Sequence, residues 1–313
     1  MNSRAKGWRL IADVGGTNVR FGQAENGRVL PTSWGVPVEN FSSFDSAVAN
    51  YMDRIGPALA ATCCEAAIAA AGPVGGPQRD TINVTNNDWS VSPDAVAEGL
   101  GRRIPAQIIN DLEAVAHALP SLRDTDLDAM DDVSAHGNGG SAGALPTRRL
   151  AVNVGTGFGS ALLITTPTAT ICCPAESGHM LRRLDSGDAG TVEDYLSGRG
   201  VRELAAKQAA PGHSSAHLPI SIDADSPEAI DVRKAFATML ARTAANLVLA
   251  TSAWDGVYLC GSVATAWFQV GDHEAFRRCF NGTGPMADRL AATPIALITH
   301  DLPAFIGLAR IDV

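Results

Sequence analysis

The chain has 313 residues, 46% hydrophobic and 18% charged, with a formal net charge of −9 at pH 7. This length predicts two domains, and the negative charge argues against nucleic acid or an anionic membrane surface as a partner, because both favour basic proteins. No apolar run is long enough to span a bilayer. Six cysteines without zinc-type spacing, in a chain with no evident secretory leader, indicate reduced thiols and a cytoplasmic protein.

The first predicted element is a β-hairpin. Residues 10–14, apolar except for Asp13, lead into Gly15 and Gly16, and a second β-favouring segment follows at once. Backbone N–H groups at a glycine corner can approach a phosphate closely, Thr17 can add a hydroxyl donor, and Asp13 can hold Mg²⁺ directly or through water. An ordinary glycine hairpin with polar caps would explain the same residues.

The following segments predict an α/β domain. A strand over residues 28–34, a helix over residues 44–55 and a buried strand over residues 66–71 come in this order. The polar residues 81–89 then predict a turn anchored by Trp89.

Asp111 is predicted at the junction of a short strand, residues 107–109, and an amphipathic helix. Asn and Asp are preferred helix caps, which explains Asn110 and Asp111 structurally. A carboxylate at the carboxyl end of a strand also points to where open α/β sheets bind ligands. Asp111 is therefore our candidate for a catalytic base.

A second hairpin, residues 150–161, repeats the pattern of the first around Gly155, Thr156 and Gly157. Residues 124–145, acidic and then rich in Gly and Ser, predict a surface connection before it. Two similar turns indicate a duplicated unit, with one copy in each domain on either side of a cleft.

Glu176 and His179 lie three residues apart in a segment where Pro174 and Gly178 oppose a helix. This context disfavours a helical metal site. A carboxylate and an imidazole on a loop suit hydroxyl recognition instead, because together they accept and donate hydrogen bonds.

The remaining elements complete the second domain. Residues 196–200 predict a helix stop followed by glycines, and residues 232–247 a long helix. A buried strand then ends at Gly261, where an adenine ring could lie on the backbone or a helix could simply begin. Residues 295–298 predict a last strand and residues 303–311 a final helix.

In order and approximate spacing, these motifs resemble those of bacterial ATP-dependent glucokinases, members of the superfamily of sugar kinases, actin and seventy-kilodalton chaperones. The resemblance covers nearly the whole chain. It implies a two-domain actin-like ATPase (ribonuclease H-like) α/β fold with a cleft between the domains. The small domain would comprise residues 1–120 plus 301–313, and the large domain residues 121–300.

The resemblance also implies residue roles. The ATP phosphates and Mg²⁺ would be bound by the first turn, at Asp13, Gly15, Gly16, Thr17 and Asn18, and by the second turn, at Gly155, Thr156 and Gly157, while Gly261 would border the adenosine. Sugar hydroxyls would be held by Asn86, Asn110, Glu176, His179 and Glu193. Asp111 would take the proton from the hydroxyl that is phosphorylated.

The implied reaction transfers the γ-phosphoryl group of Mg-ATP to the 6-hydroxyl of glucose, giving glucose 6-phosphate and ADP, in a homodimeric enzyme. Ser177 and Ser262 stand where relatives usually carry glycine, which leaves sugar and nucleotide selectivity open. No cysteine lies between His179 and Cys260, so no structural zinc is expected. The alternatives are a kinase for fructose, mannose or an amino sugar, a sugar-sensing regulator on a kinase-like fold, and an actin-like filament protein.

Overall fold

A computed structural model describes residues 7–73, 80–130, 145–183, 189–208, 222 and 225–313. The chain divides into two compact units, unit 1 formed by Met1–Ser121 with Asp301–Val313 and unit 2 formed by Leu122–His300. Each unit has its own sheet and its own buried core.

Unit 1 alternates strands and helices. In chain order these are β1 (Trp8–Val14), β2 (Asn18–Glu25), β3 (Arg28–Pro37), α1 (Phe44–Ile55), α2 (Pro57–Ala60), β4 (Cys63–Ala70), β5 (Ile82–Asn83), β6 (Ser90–Val91), α3 (Pro93–Leu100), β7 (Ala106–Asn110), α4 (Asp111–Ala118) and, after unit 2, α10 (Pro303–Leu308). The main sheet of the described residues has the order β3-β2-β1-β4-β7. Strands β1, β4 and β7 are parallel, whereas β1, β2 and β3 form an antiparallel meander.

The central strand β1 is buried on both faces of the sheet. Leu10 packs with Phe44 of α1 on one face, whereas Ile11 packs with Phe305 of α10 on the other. Successive side chains of a strand point to opposite faces. A strand covered on both sides is therefore continuously apolar, as β1 is.

Helix α10 is fixed tightly against the rest of unit 1. A Cβ atom at Gly307 would clash with the carbonyl oxygen of Ala114 in α4, so only glycine permits this close approach. The buried guanidinium of Arg9 donates hydrogen bonds to the carbonyl oxygens of Leu308 and Ile311, at 2.7 and 2.8 Å. These contacts hold the end of α10 against β1.

Unit 2 contains the remaining elements. They are β8 (Leu127–Ala129), β9 (Thr147–Val154), β10 (Phe158–Thr165), β11 (Thr170–Ala175), β12 (Leu181–Arg183), β13 (Ala189–Thr191), α5 (Gly198–Gln208), α6 (Pro227–Thr251), β14 (Val257–Cys260), α7 (Ser262–Val270), α8 (His273–Asn281), α9 (Ala287–Ala291) and β15 (Ile295–Ile298). The main sheet has the order β11-β10-β9-β14-β15-β8 within the described residues. Strand β9 pairs antiparallel with β10 and parallel with β14, so the hairpin lies beside a parallel strand, as in unit 1.

The core of unit 2 forms around the long helix α6. Its first turn is capped by the Ser226 hydroxyl, which accepts a hydrogen bond from the Ala229 N–H at 3.1 Å. Phe236 of α6 packs against the buried indole of Trp267 in α7, and Trp267 in turn contacts Phe276 of α8. Three helices therefore share one aromatic cluster.

The predicted surface connection over residues 124–145 was wrong in its first part. A 3₁₀ turn, Asp124–Asp126, is followed by strand β8, which pairs antiparallel with β15. Leu127 lies opposite Ile298 in this pairing. The segment becomes a strand because a distant edge offers it hydrogen bonds, which a local pattern does not reveal. Residues 131–144 lie outside the described residues.

The predicted helix stop at residues 196–200 was also wrong, because helix α5 begins there. Ser197 acts as its cap: its hydroxyl accepts a hydrogen bond from the Gly200 N–H at 3.1 Å and its carbonyl from the Val201 N–H at 2.9 Å. A Cβ at Gly200 would lie 2.5 Å from the backbone of Tyr195. The glycines permit a close packing at the helix start and do not end a helix.

None of the helices in the described ranges is both long and apolar enough to cross a membrane. None of the six cysteines, all of which lie within the described ranges, forms a disulfide bond. Burial raises the pKa of the Cys63 thiol to about 11, so this thiol is inert at neutral pH.

Candidate active site

The turn between β1 and β2 is a tight, closely packed glycine corner. The Gly15 N–H donates to the carbonyl oxygen of Asn18 at 2.9 Å, which closes the hairpin. A Cβ at Gly16 would lie 2.8 Å from the carbonyl oxygen of Thr85, so a larger residue would displace the neighbouring turn. Thr17 and Asn18 are exposed, and both can contact a ligand at this corner.

Asn87 holds this corner in place, and the sequence analysis missed it. Its amide nitrogen donates to the carbonyl oxygens of Gly15 and Gly16, at 3.3 and 3.4 Å, while its amide oxygen accepts from the Trp89 N–H at 2.8 Å. Its neighbour Asn86, the residue that the family resemblance indicates, adopts a left-handed conformation with φ of 68°. The only sequence signal was the polar run that both residues share.

The junction of β7 and α4 separates the cap from the candidate base. Asn110 is the N-cap, and its amide oxygen accepts from the N–H groups of Leu112 and Glu113, at 2.9 and 3.3 Å. Its amide nitrogen donates to the carbonyl oxygen of Gly72 at 2.9 Å. Asp111 is the first residue of the helix, and its carboxylate accepts from the Leu112 N–H at 2.8 Å. Capping therefore explains Asn110 and leaves Asp111 for chemistry.

Two carboxyl groups of unit 1 influence each other. The pKa of Asp13 is raised to about 6: burial contributes most, the negative charge of Asp111 adds to it, and the guanidinium of Arg20, 3.8 Å away, opposes both. Burial also raises the pKa of Asp111, opposed by hydrogen bonds from Leu112 and Asn110. Asp13 and Asp111 belong to the ends of parallel strands in one sheet. This end of unit 1 therefore favours a cation or a proton.

The β9–β10 turn of unit 2 packs closely against the start of α7. The Gly155 N–H donates to the carbonyl oxygen of Gly157 at 3.0 Å. Gly261, with φ of +96°, caps α7, and a Cβ there would lie 2.5 Å from the Asn153 side chain and from the Val154 carbonyl oxygen. Gly261 thus lets a helix begin directly beside the turn, with bare backbone at its surface.

Glu193 connects this turn to the segment of Glu176 and His179. One carboxylate oxygen, Oε2, accepts from the Phe158 N–H at 3.0 Å, and the Glu193 N–H donates to the carbonyl oxygen of Gly178 at 2.9 Å. A Cβ at Gly157 would lie 2.6 Å from the same Oε2. One carboxylate oxygen therefore fixes the turn, and the other, Oε1, can serve a ligand.

Glu176 is the N-cap of a 3₁₀ turn, Ser177–His179, and His179 is its last residue. Both side chains are exposed, and neither makes a side-chain hydrogen bond to the described residues. His179 lies near the carboxylate of Asp194, whose pKa is lowered mainly by hydrogen bonds from Thr191 and to a smaller degree by His179. The turn presents a carboxylate and an imidazole, which can accept and donate hydrogen bonds.

Each unit thus brings its own part of the candidate residues together. Unit 1 gathers Asp13, Gly15, Gly16, Thr17, Asn18, Asn86, Asn110 and Asp111, whereas unit 2 gathers Gly155, Thr156, Gly157, Glu176, His179, Glu193 and Gly261. The first set combines a glycine corner with two carboxyl groups. The second set combines a glycine turn with two carboxylates and an imidazole.

Comparison with known proteins gives a consistent result. The family model described as glucokinase matches residues 10–312. A glucokinase from Cupriavidus metallidurans is 31% identical over 333 residues, covering 99% of this chain and 95% of its own. One from Marinobacter nauticus is 29% identical over 330 residues, covering 98% and 97%. The crystal structure of a glucokinase from an Antarctic psychrotroph matches with a TM-score of 0.78 at 23% identity, over 96% of this chain and 97% of the other.

Proposed function

The chain belongs to the glucokinase family, and from this premise we propose how its residues transfer the γ-phosphoryl group of ATP to the 6-hydroxyl of glucose. The structural likeness confirms the predicted two-domain actin-like α/β fold. Family membership confirms an ATP-dependent sugar kinase acting on glucose. The roles of individual residues are the proposal.

Asp111 is the proposed catalytic base. The glucose hydroxyl oxygen bonds to the γ-phosphorus, its proton passes to the Asp111 carboxylate, and the bond from phosphorus to the β,γ-bridging oxygen breaks to release ADP. A base transfers protons best when its pKa is close to the working pH, and burial raises the pKa of Asp111 in that direction. This half-buried carboxyl group at the start of α4, whose pKa is raised, is the observation that carries the proposal.

The two glycine turns are the proposed phosphate sites. In unit 1, residues 15–18 offer backbone N–H groups and the Thr17 hydroxyl, and Asn87 keeps the corner rigid. In unit 2, Gly155, Thr156 and Gly157 form the second phosphate turn, and Gly261 borders the adenosine. Phosphoryl transfer depends on positioning and charge stabilisation more than on covalent chemistry, so such turns are suited to it.

Mg²⁺ fits the donor set of unit 1. Asp13 offers a hard carboxylate oxygen, directly or through water. Its negative form is disfavoured by burial and by Asp111, and a nearby cation would reverse this effect on the pKa. When bound, Mg²⁺ neutralises negative charge on the phosphate oxygens. We assign no zinc.

Glu176, His179 and Glu193 are the proposed sugar ligands of unit 2. The first two are exposed and free of side-chain hydrogen bonds within the described part of the chain, so no protein contact must break. Asn86 and Asn110 of unit 1 complete the proposed set. The Asn110 side chain is already bonded to Gly72, to the first turn of α4 and to Asp111, so it must exchange one of these bonds to reach a sugar.

A coupled ADP-release assay with Mg-ATP and a panel of hexoses tests the proposal. We expect ADP release with glucose to exceed that with fructose, mannose and glucosamine. Asp111→Asn should lower kcat by about 10²–10⁴-fold. Asp94→Asn is the matched control, because Asp94 is an exposed aspartate of unit 1 paired with Arg103, and it should keep full activity.

Near-normal turnover of Asp111→Asn would remove the base role while leaving glucose phosphorylation intact. A higher kcat/KM for another hexose would show that this hexose, and not glucose, is the preferred substrate.

The homodimer, the cytoplasmic location and the lack of a nucleic-acid partner stay predictions. Light scattering of the purified protein measures the first of them directly.

A further inference from the structure

Ser177 has a buried hydroxyl group without a hydrogen-bond partner. The residue is 2% exposed, and its Oγ atom makes no hydrogen bond within the described residues. Buried hydroxyl groups are nearly always paired, because an unpaired one has lost its bonds to water and gained nothing in return. An orphan hydroxyl at a functional segment therefore needs an explanation.

The position of Ser177 supplies one. It lies between Glu176 and Gly178 at the start of the 3₁₀ turn that ends at His179. Glu176 and His179 are exposed, whereas Ser177 is turned inward between them. The unpaired group thus belongs to the same short turn that presents both proposed sugar ligands.

The backbone around Ser177 is held from two sides. The carbonyl oxygen of Gly178 accepts a hydrogen bond from the Glu193 N–H at 2.9 Å. A Cβ at Gly178 would clash with the carbonyl oxygen of Phe158. Because Glu193 also binds the Phe158 N–H, a shift of this turn is transmitted to the proposed phosphate turn.

We propose that Ser177 is a positioning residue of the sugar site, whose hydroxyl obtains a hydrogen-bond partner only in the sugar-bound protein. The inference rests on the proposed sugar-binding role of Glu176 and His179. A hydroxyl group that is unpaired only without sugar raises the free energy of the sugar-free protein and leaves that of the sugar-bound protein unchanged. Pairing on binding therefore makes sugar binding more favourable, because only a difference between the two states changes affinity.

Ser177→Ala in the full chain tests this inference, since it removes the hydroxyl and keeps the Cβ. Glucose binding is measured by calorimetry without nucleotide, and thermal unfolding is measured with and without glucose. We expect the Kd for glucose to rise about tenfold, as for the loss of one hydrogen bond. The Tm of the sugar-free protein should rise by about 2–4 °C. In the coupled assay, KM for glucose should rise more than kcat falls.

Thr165→Val is the matched control. The Thr165 hydroxyl, at the far end of β10, is also buried without a partner in the described chain. Its removal should raise Tm without changing the Kd for glucose. The comparison separates a stability effect from an effect on sugar binding.

Three outcomes decide the question. If Ser177→Ala raises Tm but binds glucose like the wild type, the hydroxyl is only a local defect and the inference fails. If it lowers Tm, the hydroxyl is already paired in the sugar-free protein, for example with a buried water, and the inference fails as well. A wild type that neither binds nor phosphorylates glucose would instead overturn the proposed function.

Discussion

The half-buried carboxyl group of Asp13 predicts a pH-dependent stability. Its pKa is 3.8 in an ordinary setting and about 6 in the folded protein. Between these values the folded protein keeps a proton that the unfolded chain releases, so the free energy of unfolding decreases as pH rises through about 6. At ~1.36 kcal/mol per pKa unit, the decrease is on the order of 3 kcal/mol.

Asp13→Asn removes this dependence. Urea unfolding with a chelator present should show the variant more stable than the wild type at pH 7.5, by up to ~3 kcal/mol, and similar to it near pH 4. The variant also loses the ion pair between Asp13 and Arg20, but this loss offsets little of the gain in stability. The paired atoms are 3.8 Å apart and Arg20 is half exposed, and such pairs contribute ~0–1 kcal/mol.

Asp94→Asn serves again as the control, because it removes an exposed carboxylate from the same unit. Its free energy of unfolding at pH 7.5 should stay within ~1 kcal/mol of the wild-type value, because an exposed ion pair contributes little. Parallel pH curves for the wild type and Asp13→Asn would refute the reasoning, since they would show that the Asp13 carboxyl titrates alike in the folded and unfolded states.

Three further predictions concern packing around the candidate site. Asn87→Leu should raise KM for ATP about tenfold, because the phosphate corner loses two hydrogen bonds, with a smaller effect on KM for glucose in the coupled assay. Gly157→Ala should raise KM for glucose, because the new Cβ would lie 2.6 Å from Glu193 Oε2 and displace this proposed sugar ligand. An effect on KM for ATP alone would contradict the connection between the turn and the sugar site. Gly307→Ala should lower the free energy of unfolding by ~1–3 kcal/mol through overpacking. Gly284→Ala is the control, because a Cβ there meets open space, and it should leave the free energy of unfolding unchanged. Equal urea midpoints for the two variants would show that α10 shifts to accommodate the added methyl group.

The sequence predicted the parts of the fold that depend on local patterns. The glycine turns after β1 and β9, the helix starting at Asp111 and the strand Ile295–Ile298 all lie where apolar runs meet residues with special backbone preferences. Turn chemistry and helix capping act over a few residues, so one segment contains the whole signal.

Features that depend on distant partners could not be predicted. Strand β8 exists because β15 offers an edge, and Asn87 matters because it reaches a turn about seventy residues earlier in the chain. The bond from Glu193 to the Phe158 N–H likewise joins two separate segments. Glu193 was identified only through the family resemblance, because no local pattern distinguishes it from other acidic residues. Residue type suggests such contacts, but only the folded chain specifies them.

The packing of α10 on α4 has a consequence for synthesis on the ribosome. The helix that carries Asp111 rests against residues made only after all of Leu122–His300 has been translated. At about 5–20 residues per second, that interval lasts on the order of 10–40 s. During this interval, the side chains of Ile11 and Ala114 lack the apolar contacts that Phe305 and Leu308 provide in the folded protein. The nascent first half therefore exposes this apolar surface until the chain is complete, and the helix that carries Asp111 gains its packing against α10 only after synthesis has ended.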